Sequence, residues 1–409
     1  MNKKRTYSKK NNFDPKWMGG NELKYVKQVL ENKPFVRKNS FTDRLENVFK
    51  KKYKVKYAIA MNSGASCLHA AMHAVGVKPG DEIITSPYSV LWDASIALIM
   101  GANVKFADVK YSTHNIDPEK IERLITKKTK AIVPVSYHGL PCDIDEIIKI
   151  GKKYRIPVIE DNAQTMLGKY KNRYVGVQAD MSMFSLERTK HISCHEGGLL
   201  LTNDKKLAEM ARKFGGGGFK NLTADKSKMA AIIPSEFQSP DFKRHDSLGL
   251  NYRISEFCAA IATAQFEKVE QKVKLRRDIA KLYNNVFKNF PQFEIQFVPQ
   301  FYKSSYFTFA VKSPFSKLKE WKKFYNFHLR NKGDDFYAMM APVYSEGIMK
   351  KLGFEKKYKN KCIITEKIQP RAMLFKTNYR SLKEASKYIK ILESSLVKFY
   401  NGNSKKISL

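Results

Sequence analysis

The sequence predicts an α/β protein in which a mainly parallel sheet is sandwiched by helices, followed by a smaller α+β domain at the C-terminus. Short apolar segments rich in β-formers alternate with helical stretches between residues 57 and 202. This alternation is typical of a parallel sheet that is covered on both faces. The predicted strands are 57–61, 82–85, 104–107, 131–135, 157–160, 181–184 and 198–202. Because ligands bind beyond the carboxyl ends of such strands, we expect the functional residues directly after these segments.

Other elements follow from the residues on either side of this region. The first 20 residues are polar and basic and predict a flexible extension, whereas 22–30 has the spacing of an amphipathic helix. Four consecutive glycines begin the segment 215–250 and predict a long loop. A long helix is predicted over 255–287, with Ser255 as its N-cap. We therefore expect an extension (1–20), a large domain (21–265) that contains the parallel sheet, and a small C-terminal domain (266–409).

Composition indicates a globular protein of a reducing compartment. Hydrophobic residues make up 43% of the 409-residue chain and aromatic residues 12%. No CxxC pair occurs, which predicts neither a disulfide framework nor a metal site. No segment has the length of a signal peptide or a membrane span, so we expect a cytoplasmic protein without membrane insertion. The five cysteines are Cys67, Cys142, Cys194, Cys258 and Cys362.

The formal net charge of +36 leaves two interpretations open. A basic chain attracts nucleic acid and other polyanions. The lysines, however, extend from end to end at the spacing of helix surfaces, and no aromatic residues alternate with them as in nucleic-acid sites. A generally lysine-rich surface is the favoured interpretation, with no specific nucleic acid as partner. Such a surface would still attract a phosphorylated substrate.

The turn after the first predicted strand consists of small residues, Ser63, Gly64, Ala65 and Ser66, and a helical pattern follows it. Small residues at the start of a helix leave backbone N–H groups free to bind an anion such as a phosphate. A plain helix cap explains the same residues. The turn alone therefore does not identify a ligand.

Two ionisable residues follow later strands. Asp161 ends an apolar strand, where an unpaired charge costs free energy, so it pairs with a cationic cofactor, caps a helix or binds a metal. Lys190 lies five residues after Ser185 and before a Gly-Gly turn. Lysine is the side chain that forms a Schiff base with a carbonyl cofactor, but one lysine among so many carries little information. The order of anion-binding turn, strand-end Asp, Ser and Lys carries more.

This ordered set resembles the sugar aminotransferases of the DegT/DnrJ/EryC1/StrS family, whose fold is that of type I pyridoxal-phosphate (PLP) enzymes. The resemblance extends from about residue 20 to residue 400. The stretches that match the family are VKYAIAMNSG (55–64), KPGDE (78–82), VIEDNAQ (158–164), Phe184-Ser185 with Lys190 and EGG (196–198), and NYRISE (251–256).

The resemblance implies a role for each matching residue. Lys190 would carry the cofactor as a Schiff base and move the proton between substrate and cofactor. Asp161 would keep the pyridine nitrogen protonated, and Gln164 would contact the ring hydroxyl. The residues implied in phosphate binding are Ser63, Gly64, Ala65, Ser66, Ser185 and, from the partner subunit of a homodimer, Asn251.

Three positions depart from the family pattern. Ala65 replaces a frequent Thr, which removes one hydroxyl contact but keeps the backbone donors. Val90 replaces the aromatic ring that many members place over the cofactor; Trp92 supplies the stacking instead, or it is packed in the core. His195 replaces the usual Gly, and it either contacts substrate or, as we favour, fills space.

The predicted function is transfer of an amino group from an amino acid to a keto group of a nucleotide-linked deoxysugar, in polysaccharide biosynthesis. Glutamate is the family's usual donor. Lys190 argues against the dehydratase branch, which has histidine at that position. Two alternatives remain: amination of a cyclitol or another non-nucleotide ketone, and a non-catalytic polyanion-binding protein on the same fold.

Overall fold

The computed structural model describes residues 18–31, 40–225 and 238–404. Most of the predicted extension, residues 1–17, lies outside the described residues, and so does 226–237 of the predicted loop. The described strands are β1 Tyr57–Met61, β2 Glu82–Thr85, β3 Asn103–Phe106, β4 Thr129–Val133, β5 Ile159–Asp161, β6 Lys169–Tyr170, β7 Arg173–Tyr174, β8 Met181–Ser185, β9 Gly198–Thr202, β10 Glu294–Ile295, β11 Tyr302–Lys303, β12 Thr308–Lys312, β13 Tyr337–Ala338 and β14 Ala372–Lys376.

Helices connect and cover these strands. The described α-helices are α1 Glu22–Glu31, α2 Phe41–Tyr53, α3 Gly64–Ala74, α4 Trp92–Ile99, α5 Pro118–Glu122, α6 Ile144–Tyr154, α7 Lys205–Gly215, α8 Glu256–Glu267, α9 Val269–Phe287, α10 Leu318–Arg330, α11 Gly347–Lys351, α12 Phe354–Tyr358, α13 Ile363–Ile368 and α14 Leu382–Ser404. None of these helices is apolar over a length that could cross a membrane.

The large sheet has the strand order β3-β2-β4-β5-β8-β9-β1. It consists of one four-stranded and one three-stranded ladder. They join where residues around β4 and β5 make parallel bridges, Ile132 with Val158 and Val135 with Asp161. Strand β9 runs antiparallel to both of its neighbours, and the other pairs are parallel. The mainly parallel sheet of the sequence prediction is confirmed. The ends of β1, β5 and β8 consequently meet at one edge.

Alternate side chains of the buried strands point to opposite faces of this sheet, as the period of two requires. In β9, Leu200 joins the core under α3, α4 and α7, whereas Leu199 and Leu201 join the core under α2 and α8. Both faces are therefore covered. All five residues of β8 and all five of β9 are buried, which explains why both strands are largely apolar in the sequence.

The C-terminal part builds a second sheet, in the order β10-β12-β14-β13, with antiparallel pairing. Helices α9, α10 and α14 pack on it around an aromatic core that includes Phe309, Phe324 and Phe375. Residues 343–362 do not join this core, because Val343, Tyr344 and other side chains of that segment pack among the large-sheet residues. The domain division at residue 265 stays a prediction.

Two predicted elements end earlier than expected. The single helix predicted over 255–287 is wrong: α8 ends at Glu267 and α9 begins at Val269, with Lys268 in a non-helical conformation between them. Ser255 does cap α8, since its side chain accepts from the Cys258 N–H. Strand β4 ends before Pro134, because proline has no N–H to continue the ladder.

A buried ion pair ties the first part of the chain to the large sheet. Arg212 of α7 donates two hydrogen bonds to Glu46 of α2, at 2.9 and 3.0 Å, and both side chains are 6% exposed. Glu46 also accepts from the Ala60 N–H, and Arg212 donates to the Ala58 carbonyl, both in β1. The pair thus fixes two helices to one strand.

We expect Glu46→Ala to destabilise the protein strongly. The substitution leaves Arg212 as a buried charge without its carboxylate, which costs about 3–5 kcal/mol of the free energy of unfolding. Denaturant unfolding of the two proteins measures the loss. The control is Glu31→Ala, which removes the exposed pair of Glu31 with Lys27 and should cost less than about 1 kcal/mol. Equal small losses in both variants would contradict the structural role of the buried pair.

Candidate active site

The turn after β1 begins a helix, as predicted. Ser63 is the N-cap of α3: its Oγ accepts from the Ser66 N–H at 3.0 Å, and its carbonyl accepts from the Cys67 N–H at 3.2 Å. These bonds leave the amides of Gly64 and Ala65 as the donors at this helix start that have no acceptor within the described chain. The cap interpretation is therefore correct, and two amides remain available to an anion.

Gly64 and Ser185 lie against each other although 121 positions separate them in sequence. A Cβ built on Gly64 would lie 2.8 Å from Met183 Cε and 3.5 Å from Ser185 Oγ, so no larger residue fits without displacing its neighbours. The approach brings the end of β8 next to the start of α3. Three serine hydroxyls, those of Ser63, Ser66 and Ser185, thus lie in one region, with Ser63 and Ser66 Oγ 2.8 Å apart.

Asp161 is the last residue of β5 and is almost fully buried. Its Oδ1 accepts from the Ala163 N–H at 2.7 Å, whereas Oδ2 receives no hydrogen bond from the described chain. Burial raises the pKa of this carboxyl from its ordinary 3.8 to about 6, against the opposing effects of the Ala163 amide and the Lys190 charge. A cation placed at Oδ2 would reverse this rise, because it stabilises the ionised form.

Lys190 lies in the loop between β8 and β9, with its ammonium 4.7 Å from the centre of the Phe307 ring. Desolvation lowers its pKa, and the charges of Glu187 and Asp161 oppose this effect. A lowered pKa raises the fraction of neutral amine, which is the form that attacks a carbonyl. The charges of Lys190 and Asp161 act on each other, and the roles that the resemblance implies for the two residues stay predictions.

Gln164 lies in the loop that follows β5, three residues after Asp161. Its Oε1 accepts from the His138 N–H at 2.9 Å, which fixes its orientation. Burial raises the pKa of Tyr137, and a hydrogen bond from the Gln164 side chain opposes this rise. The predicted contact with a ring hydroxyl is compatible with this orientation and stays a prediction.

Asn251 lies in a segment that extends the large sheet. Arg253 bridges Met61, and the Tyr252 carbonyl accepts from the Asn62 N–H at 2.8 Å, so the segment runs along the end of β1 in the same chain. The Asn251 side chain itself is exposed. Its contact with a cofactor phosphate of another subunit stays a prediction.

Two alternatives from the sequence are corrected by exposure. Trp92 is 59% exposed at the first turn of α4, so the alternative that it is packed in the core is wrong, while its stacking on the cofactor stays a prediction. His195 is exposed too, so the favoured interpretation, in which it fills an internal space, is wrong. Its φ of 75° is in the left-handed region, which explains physically why glycine suits this position.

Asp93 is a residue near the site that the sequence analysis missed. It follows Trp92 in α4, is 1% exposed, and neither of its carboxylate oxygens has a hydrogen-bond partner in the described chain. Burial and the charge of Asp161 raise its pKa well above the ordinary range. The available signal was a carboxylate directly before the largely apolar stretch 94–99, since a charge on a buried helix face costs free energy unless it is paired.

These groups fit pyridoxal phosphate. The free amides and serine hydroxyls at the start of α3 suit a phosphate, the unbonded Oδ2 of Asp161 suits a protonated pyridine nitrogen, and Lys190 offers an amine with a lowered pKa to the aldehyde. Among the described residues, no group of acidic, histidine and cysteine side chains could hold a metal ion.

The model of the DegT/DnrJ/EryC1/StrS aminotransferase family matches residues 17–389 of the sequence. The chain belongs to this family. It is therefore an aminotransferase that works with pyridoxal phosphate, as the resemblance implied. The alternative of a non-catalytic polyanion-binding protein is wrong.

Two relatives are similar over most of their length. GDP-perosamine synthase of Escherichia coli O157:H7 is 31% identical over 336 residues, which cover 81% of this chain and 86% of the relative. The spore coat polysaccharide biosynthesis protein SpsC of Bacillus subtilis (strain 168) is 32% identical over 71% of this chain and 73% of the relative.

Solved structures of aminotransferases share the fold. The enzyme from Psychrobacter cryohalolentis superposes with a TM-score of 0.82 at 24% identity and covers 93% of this chain and 96% of its own. Helicobacter pylori PseC, an aminotransferase of pseudoaminic acid biosynthesis, gives 0.78 at 24% identity, over 91% and 95% of the two chains. The type I fold predicted from the sequence is confirmed.

Proposed function

We propose that this aminotransferase moves the amino group of glutamate to a keto group of a nucleotide-linked deoxysugar, as a step of polysaccharide biosynthesis. The similarity to GDP-perosamine synthase over 86% of that enzyme carries the proposal, since the name of its product identifies a nucleotide-linked amino sugar. The name of SpsC supports the polysaccharide context. The chain's charge of +36 favours the approach of a diphosphate-linked substrate.

The residues of this chain would divide the work. The start of α3, with Ser185, holds the phosphate of the cofactor, and Asp161 orients the ring by accepting from its nitrogen. When bound, the cofactor acts as an electron sink for the substrate carbon. Lys190 holds the cofactor and, once released, takes and returns the proton at that carbon. Because both half-reactions use the same lysine, one site serves donor and acceptor in turn.

The test is a screen of nucleotide-linked ketosugars with glutamate, read by mass spectrometry. We expect an acceptor whose keto oxygen is replaced by an amino group, with 2-oxoglutarate formed in equal amount. A matched set of cyclitol and free-sugar ketones is the control. Turnover of those compounds alone would favour the alternative of a non-nucleotide ketone.

We further propose a homodimer in which Asn251 of one subunit contacts the cofactor phosphate of the other. The exposed side chain of Asn251 is available for such a contact, and a closed two-fold dimer is the commonest soluble assembly. A cytoplasmic location stays a prediction of the sequence.

Mixing two inactive variants tests the shared site. We expect Lys190→Ala and Asn251→Ala to be inactive alone and to regain activity after subunit exchange. In a hybrid dimer one site receives both substitutions and the other receives neither. Random exchange makes about half of the dimers hybrids, so about a quarter of all sites should become active. A mixture that exchanges subunits, as measured by mass spectrometry, but remains inactive would assign Asn251 to a site within one chain.

A further inference from the structure

Arg276 is a buried cation that forms no ion pair with a carboxylate of the described residues. It lies on α9 and is 4% exposed. Its Nη1 donates to the Phe307 carbonyl and to the Thr377 hydroxyl, each at 2.9 Å, and both acceptors are neutral. Burial lowers the pKa of the guanidinium to about 9, which leaves it charged at neutral pH. Such a charge costs free energy unless an anion pairs with it.

The other buried arginine of the described residues has its anion. Arg212 donates two hydrogen bonds to the Glu46 carboxylate, at 2.9 and 3.0 Å. Arg276 has positive groups near it instead, and its charge lowers the pKa of both Lys190 and Lys272. An anion that balances Arg276 therefore comes from beyond the described residues.

The free part of the Arg276 guanidinium has the geometry that a carboxylate needs. Nη1 lies on the same side as the side-chain stem and is occupied by its two acceptors. On the opposite edge, Nε and Nη2 point two N–H groups in parallel, which is the arrangement that binds both oxygens of a carboxylate. Neither nitrogen donates within the described chain, and neither is among the fully enclosed polar atoms that lack a partner. This edge is therefore open to a small anion.

The guanidinium lies near the amine of Lys190. The Lys190 ammonium is 4.7 Å and the Arg276 guanidinium carbon 5.9 Å from the centre of the Phe307 ring, so less than 11 Å separates the two groups. Phe307 itself is held at the candidate active site, because its N–H donates to the His138 carbonyl at 3.0 Å and the His138 N–H donates to Gln164. The separation suits a molecule of amino-acid size between Lys190 and Arg276.

We propose that Arg276 binds a carboxylate of the amino donor and thereby selects amino acids for the first half-reaction. The inference rests on the proposed function, in which glutamate supplies the amino group. The donor reacts at the place of the Lys190 amine, which would bring a carboxylate into the region between Lys190 and Arg276. Because the buried charge is unpaired in the free protein, the donor removes this cost when it binds. Glutamate has two carboxylates, one beside the reacting carbon and one on its side chain.

The first test measures binding without turnover. Glutarate has two carboxylates like glutamate but no amino group, and calorimetry measures its affinity for the full chain, with its cofactor and again after cofactor removal. We expect Arg276→Gln to bind glutarate at least about 30-fold more weakly than wild type, as for one lost partner of a buried charge pair. Arg276→Lys keeps the charge without the parallel N–H groups and should bind with intermediate affinity. Wild-type protein that binds no glutarate, or Arg276→Gln protein that binds it equally well, overturns the proposal.

The matched control is Arg277→Gln, at the next position of α9. Arg277 donates from Nε to the Ser304 carbonyl at 2.9 Å and from Nη2 to the Leu167 carbonyl at 3.0 Å, so both ends of its free edge are occupied. Its substitution should lower stability but keep glutarate affinity within about threefold of wild type. An equal loss of affinity in both variants would make the effect of Arg276 a structural one and overturn the proposal. If Arg276→Gln does not fold, Arg276→Lys takes its place in this comparison.

The donor half-reaction then assigns the carboxylate, with the visible band of the bound cofactor as the readout. Alanine has a carboxylate beside the reacting carbon and none on its side chain. Equal slowing of glutamate and alanine in Arg276→Gln assigns Arg276 to the first group, and slowing of glutamate alone assigns it to the second. A variant that reacts with both donors at the wild-type rates overturns the proposal. Wild-type protein that does not react with glutamate contradicts the proposed donor instead, and the glutarate measurement still decides whether Arg276 binds a carboxylate.

Discussion

Lys190→Ala should lack the visible absorption band of the lysine-bound cofactor and should have almost no aminotransferase activity. The side chain supplies both the amine that binds the cofactor and the base that moves the proton, and the loss of a positioned base alone costs about 10²–10⁴-fold in rate. Absorption spectra and rates with glutamate measure the two losses. The Lys190 amine lies against the Phe307 ring, and the alanine side chain of the variant has no amine to place there.

The matched control is Arg188→Ala, two residues away in the same loop and exposed to solvent. It removes the same charge and should leave the band and the activity close to wild type. Adding a small primary amine to Lys190→Ala should restore part of the proton transfer. An unchanged absorption band in Lys190→Ala would exclude this lysine as the attachment point.

Asp161→Asn should retain the cofactor but lose about 10²–10³-fold in kcat. The neutral amide cannot stabilise a positive charge on the pyridine nitrogen, and the loss of one preorganised electrostatic contact has roughly this effect. NMR of an isotope-labelled pyridine nitrogen in the bound cofactor should show that this nitrogen is deprotonated in the variant. Turnover close to wild type would contradict the role of Asp161.

The same substitution should make the cofactor-free protein more stable. Because the pKa of Asp161 is raised to about 6, its proton stabilises the folded state fully below about pH 4, and this contribution is lost as pH rises through 6. Asparagine avoids that loss, which amounts to at most about 3 kcal/mol at neutral pH. The free energies of unfolding of the cofactor-free variant and of cofactor-free wild type, measured at pH 4 and pH 8, check this prediction. A variant that is more stable than wild type at pH 4 but not at pH 8 would contradict it.

The sheet was predictable because its strands are short, apolar and separated by turn residues. Strands β1, β2 and β9 have the predicted bounds, whereas β4 stops one residue before Pro134. The antiparallel direction of β9 was not predictable from its own residues: a buried strand is apolar in either direction. The break between the two helices at Lys268 was not predictable either, because the sequence on both sides of it has a helical pattern.

The site was predictable where chemistry depends on the type of residue. Asp161 was singled out because a carboxylate at the end of an apolar strand needs a partner, and Lys190 because of its place in the order of motifs. The roles of both residues come from the resemblance and stay predictions. Asp93 was missed because its significance comes from its burial in the folded protein and from the charge of Asp161, 68 positions away in sequence. Exposure of Trp92 was equally undetermined, since neighbouring positions on a helix face different directions.

The packing of residues 343–362 against the core of the large sheet has a consequence for synthesis on the ribosome. A nascent chain that has emerged only as far as residue 265 has every strand of that sheet, yet it lacks Val343, Tyr344 and Met349, which are fully covered in the finished core. Apolar surface there stays open to solvent until another hundred residues have been translated, which takes about 5–20 s. Over this interval, the unfinished chain exposes an apolar surface of the kind that favours aggregation.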